Sequence, residues 1–232
     1  MNTIRKHDFQ SFFRSPLGFV YVGVFALIAN LIFFAYCILN SSSDLASPFA
    51  FLLTVLLFIT PILTMRLFSE EYRQGTDRLL LTAPVHVWEI VLGKFLAAMG
   101  VMLCCLAVTL PWLVIILCGG TLAWQTTVGC YIALLCASMV FVSMGLFLSS
   151  VTESQLIAAV LSFALFLLLY LVDSLSSSVS GVLGTVLNWL SIFTRYDTFL
   201  SAQFSFSNLI YFFSLTALFL FFTARVVERR RH

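Results

Sequence analysis

Read for hydropathy alone, the chain alternates long apolar runs with short polar breaks. The runs lie at 17–39, 49–66, 91–118, 127–149, 155–173 and 207–226. A hydrocarbon core of about 30 Å is crossed by roughly 20 residues at 1.5 Å rise, so each run is read as a transmembrane helix. Turn formers divide them: Ser41-Ser42-Ser43-Asp44 with Pro48, then Gly119-Gly120, then Ser149-Ser150-Val151-Thr152-Glu153. Residues 95–152 carry no charge at all, a stretch too long for one span and suited to two antiparallel helices joined near Gly119-Gly120. The pattern predicts an all-α polytopic membrane protein with six transmembrane helices.

Two segments break this rhythm. Within residues 1–16, Phe9, Phe12 and Phe13 share a helical face among Arg5, Lys6 and Arg14. That is read as an interfacial amphipathic helix, with an unstructured basic tail as the alternative. Residues 174–206 open Ser-rich and then place Val179, Val182, Leu183, Val186, Leu187 and Leu190 at helical spacing. Too polar to span, they are read as short re-entrant helices dipping into the outer leaflet, with a plain extracellular loop as the rival.

Composition agrees with lipid as the solvent. The chain is 61% hydrophobic and 9% charged, with mean hydropathy +1.07, where a soluble domain carries about a quarter charged residues. A net charge of +2 gives no argument for nucleic acid. All six cysteines fall inside apolar runs without disulfide or zinc spacing, and read as small buried hydrophobes. The first run exceeds a signal-peptide core and no small-x-small site follows, so it is read as a retained anchor.

Charge changes the picture by fixing orientation. Arg5, Lys6 and Arg14 precede the first span, Arg66, Arg73, Arg78 and Lys94 separate the second from the third, and Arg225, Arg229, Arg230 and Arg231 follow the sixth. With six spans, eleven of the twelve Lys and Arg residues share one side and only Arg195 lies opposite. Basic loops stay in the cytoplasm, so both termini are expected there.

Catalytic parts are missing from the spans. The three histidines, His7, His86 and His232, lie outside them, so no intramembrane serine has a base. His86-Val87-Trp88-Glu89 lacks the H-E-x-x-H zinc spacing, and Trp88 stands where a phosphate loop ending at Gly93-Lys94 needs glycine. Lys94 and Asp173 are read as interfacial, which leaves the span interiors without a charge to bind a driving ion. No catalytic, cofactor or metal site is expected, and the energy for uphill work must come from another subunit.

The informative polar stretch runs from Met65 through Arg66-Leu67-Phe68-Ser69-Glu70-Glu71-Tyr72-Arg73-Gln74-Gly75-Thr76-Asp77-Arg78 to Leu79-Leu80-Leu81-Thr82-Ala83-Pro84-Val85, and on to Leu92-Gly93-Lys94-Phe95. It reads as a short charged helix broken near Gly75 and restarted at Leu79, with Pro84 able to open the next helix. By composition such an element either lies across the membrane surface or fills a partner's groove. Its wording resembles the permease subunits of ABC type-2 exporters, particularly the gliding-motility and copper-processing branch. There an E-E-x-x-x-G-T-x-x-x-L-L-x-x-P element joins the second and third spans. Ser149 to Ala159 resembles that family's turn between its fourth and fifth spans, and Tyr211 to Arg231 its last span and tail.

The resemblance implies one ABC type-2 transmembrane domain over residues 1–232, with short re-entrant helices before the last span. It further implies a cytoplasmic coupling helix within 67–90 that docks on a separate ABC ATPase, the subunit that would bind ATP and magnesium. Carried over by position, Glu70, Glu71, Arg73, Gly75, Thr76, Leu79, Leu80 and Pro84 would shape that interface. Arg78 departs from the pattern, since many relatives are acidic there. The plainer reading of Glu70 and Glu71 is a solvated face paired with Arg66 or Arg73. Glu153 and Gln155 either cap the fourth-to-fifth turn or make a second ATPase contact. The function implied is a permease half of an ATP-driven exporter in a prokaryotic cell membrane, paired with a second permease subunit. The alternative is a non-transporting component that passes ATPase-driven motion to a partner with a large extracytoplasmic domain.

Overall fold

A computed structural model describes residues 16–40, 42–74, 86–119, 123–176, 191–201, 203 and 205–231, and every regular element among them is helical. In chain order these are α1 (Pro16–Phe33, extended by a π-helical turn Phe34–Ile38), α2 (Ala46–Thr64), α3 (Ser69–Gln74), α4 (Val87–Thr109), α5 (Pro111–Gly119), α6 (Trp124–Val151), α7 (Gln155–Ser176), α8 (Ile192–Leu200) and α9 (Phe206–Arg231). Six stretches are long and apolar enough to cross a membrane: Gly18–Ile38, Ala46–Tyr72, Val87–Cys118, Trp124–Val151, Gln155–Ser174 and Phe206–Arg230. These are the six helices that hydropathy predicted. The expected interfacial helix falls almost wholly on residues 1–15, outside the described residues.

The third span is two helices because of Pro111. Proline has no N–H and its ring crowds the carbonyl four residues back, so α4 closes with the Leu110 amide turning to Ala107 O at 3.2 Å. Trp112, just past the bend, is fully buried, stacks on Phe33 at 4.8 Å, and donates its indole N–H to Asn30 Oδ1 at 2.9 Å. The bend thereby seats the third span against the first.

The fourth span forms the centre of the bundle. Helix α6 touches α2, α4, α7, α8 and α9, and 72% of an 18-residue apolar stretch within it is buried, against 17% of such a stretch in the fifth span. Small residues make this possible, because helices in lipid approach closely only where side chains are short. Gly145 shows this directly: a Cβ there would lie 2.2 Å from Thr64 Oγ1 and 2.7 Å from Thr64 Cβ. The fifth span instead shows Leu156, Ile157, Val160, Leu161, Leu168 and Leu171 to its surroundings, the signature of a lipid-facing helix.

Between the last two spans, α8 packs as an amphipathic helix. Ser191 caps it, accepting from the Thr194 amide at 3.1 Å and donating to Asp173, which also accepts from the Thr194 hydroxyl at 3.0 Å. Its apolar face buries Ile192, Phe193, Tyr196, Phe199 and Leu200. Tyr196 donates to Phe49 O at 2.7 Å, and Arg195 bonds Asn208 at 3.0 Å while lying over the Tyr211 ring. Spans two, five and six thus each hold α8. Residues 177–190, with the Val/Leu pattern read as re-entrant, lie outside the described residues.

Candidate functional site

The second span does not stop at Thr64. Its backbone turns over residues 65–68 and resumes as α3, six residues that carry Glu70 and Glu71 in their first turn. A helix this short leaves its first amides without intrahelical acceptors. Ser149, at the end of α6, supplies the missing partner. Its hydroxyl accepts from the amides of Phe68 at 3.1 Å and Ser69 at 3.2 Å and lies 3.2 Å from Met65 O. The Ser69 hydroxyl in turn reaches Ser149 O at 3.1 Å and Thr152 O at 3.0 Å. Both serines are fully buried, so these bonds are shielded from water.

Lys94 ties α3 to the third span. It lies two turns inside α4, which begins at Val87, and neighbouring helices leave only 3% of it exposed. A buried ammonium is costly unless paired and hydrogen-bonded. Here the Nζ donates to Leu67 O at 2.7 Å, pairs with the Glu71 carboxylate, and sits 5.0 Å from the centre of the Phe68 ring.

A third tie comes from the last helix. The Arg230 guanidinium donates to Val151 O at 3.0 Å, pairs with Glu153 at 3.5 Å, and lies 4.3 Å from the centre of the Tyr72 ring. Beside it, an open groove of about 790 Å³ runs past Tyr72, Glu153 and Gln155. The ends of the second, third, fourth and sixth spans therefore converge on α3, at the end of the bundle that carries every Lys and Arg among the described residues except Arg195.

The predicted site residues divide sharply. Glu70 faces Arg66 across 4.0 Å on the partly exposed side of α3, the i, i+4 pair expected of a solvated face. Glu71 points inward to Lys94 instead, so the two adjacent carboxylates do different jobs. Glu153 is largely exposed apart from its contact with Arg230, and Gln155 opens α7 beside the groove. Arg73 lies on α3, while Gly75, Thr76, Arg78, Leu79, Leu80 and Pro84 fall outside the described residues. Sequence reasoning missed Ser69, Tyr72, Lys94, Ser149 and Arg230 as members of this assembly. Only Lys94 left a signal, as the single cation that α4 carries among apolar neighbours.

Among the described residues every regular element is helical and six stretches are of membrane-crossing length, packed around a central fourth span, which defines a polytopic membrane protein. The family model described as ABC-2 family transporter protein matches residues 2–227, nearly the whole chain, and the protein belongs to that family as a permease component of an ABC transporter. A comparison with curated proteins gave no match.

Proposed function

We propose that this chain is the transmembrane permease subunit of an ABC type-2 exporter, driven by a separate cytoplasmic ATPase through the segment 67–90. The observation that carries the reading is the convergence on α3, where buried ties from the third and fourth spans and an outer tie from the sixth form a mount for the segment that follows. The clustering along the sequence of eleven of the twelve Lys and Arg residues supports a cytoplasmic position for this segment and both termini, facing an ATPase that binds ATP and magnesium. Catalysis belongs to that partner.

Glu70, Arg73, Gly75, Thr76, Arg78, Leu79, Leu80 and Pro84 are the proposed docking residues, with Glu153 and Gln155 as a second contact across the groove. Glu71 supports them from within. Six helices make a poor closed conduit, so two permease subunits pair, and closure of the ATPase rocks their spans between inward-open and outward-open arrangements. The gliding-motility and copper-processing branch is the one whose segment this chain most resembles.

Co-purification from membranes tests the proposal. The native permease brings down an ATPase subunit, and charged replacements at Gly75-Thr76 and Leu79-Leu80 abolish that association while the permease still elutes as a single species. Intact complexes with ATP-stimulated activity after those changes would overturn it.

A further inference from the structure

We infer that α3, the end of the fourth span and the start of the third span form one rigid block, and that Lys94 is the positioning residue that holds the third span in it. The inference deepens the coupling reading and rests on it for its functional meaning. A six-residue helix does not hold its shape alone, because helix nucleation costs more than so few bonds return. Its position must come from tertiary ties, and two of these are buried.

The first is the Ser69–Ser149 knot, reinforced one turn below by Thr64 against Gly145. Sliding the second span past the fourth would drive the Thr64 side chain into the α6 backbone. The second is Lys94, whose single ammonium grips both Leu67 O and Glu71. By contrast, the Arg66–Glu70 and Arg230–Glu153 pairs are partly exposed at 4.0 and 3.5 Å, and pairs of that kind contribute little. The inner clasps set the geometry and the outer arginines can exchange partners. A push on residues 75–85 is then delivered to the third and fourth spans together, without being absorbed at the 65–68 turn.

Paired spin labels test this. With the six native cysteines replaced by alanine, labels go on Gln74→Cys at the end of α3 and Trp88→Cys at the start of the third span, neither of them a proposed docking residue. Distances are measured in the isolated permease and in the ATPase complex, with and without trapped nucleotide. The block gives one narrow distribution that nucleotide leaves unchanged. Lys94→Met broadens it and lowers permease-dependent ATP hydrolysis toward the rate of the ATPase alone, although the complex still co-purifies, and Lys94→Arg restores both. A wild-type distribution that is broad, or that shifts with nucleotide, overturns the block. So does a Lys94→Met protein that stays narrow and fully coupled. The isolated permease separates the two ideas: if it is narrow but recruits no ATPase, the coupling reading fails and the block stands.

Discussion

Gly145→Ala probes the close approach of the second and fourth spans. The new methyl group would sit 2.2 Å from Thr64 Oγ1, 2.7 Å from Thr64 Cβ and 2.9 Å from Cγ2. Rotating Thr64 about χ1 moves the outer two atoms but not its Cβ, so the helices themselves must separate. Overpacking of this kind costs about 3 kcal/mol at the upper end of its usual range. Helix propensity works the other way, favouring alanine over glycine by about 1 kcal/mol. The net loss is about 2 kcal/mol, a fall of roughly 4–8 °C in melting temperature for a chain of this size. Thr64→Ala alone removes one hydroxyl bond to Thr60 O, worth about 1 kcal/mol or less. In the double variant it also removes the atoms at 2.2 and 2.9 Å and leaves only the 2.7 Å contact, so about half of the Gly145→Ala loss returns. Heating in detergent followed by size-exclusion recovery of the monodisperse peak gives the midpoints. A Gly145→Ala protein that melts with the wild type, or a double variant whose losses simply add, refutes the tight α2–α6 crossing.

Two further outcomes follow from the charged groups. Glu71→Ala strands the Lys94 ammonium in the interior and costs about 3 kcal/mol, whereas Lys94→Met leaves a partly exposed carboxylate that water can reach and costs about 1–2 kcal/mol. The same melting assay reads this asymmetry, and equal or reversed losses would contradict the buried position of Lys94. At the opposite end, burial first and Asp173 second raise the Asp197 carboxyl above its ordinary value of 3.8. Folding therefore favours its protonated form, a contribution present below the ordinary value and lost as pH rises through the raised one. Asp197→Asn accordingly raises the melting midpoint at neutral pH, and the gain fades on acidification toward the ordinary carboxylate range. A gain that persists or grows in acid would contradict this.

The spans were legible because lipid demands about 20 apolar residues in an unbroken run, a requirement hydropathy reads directly. Charge placement was legible for the same reason, as cations are excluded from such runs. Lys94 escaped because its burial depends on Glu71 and Leu67, which reach it only after the chain has left one span and returned in the next. Ser149 read as a turn former, since serine after an apolar run usually is one. Its role appears only when the broken end of the second span arrives with two amides lacking acceptors. Glu70 and Glu71 look equivalent as a pair of letters, yet adjacent residues on a helix point about 100° apart. One therefore faces outward and the other into the bundle.

We propose that the chain draws its power through the segment joining its second and third spans. Its most direct test places a photo-crosslinking amino acid at Leu79 in native membranes and irradiates with and without ATP. The expected result is a crosslink to the cytoplasmic ATPase whose yield changes with nucleotide. Crosslinking only to lipid, or labelling of Leu79 by a membrane-impermeant reagent from the outer face, would contradict it.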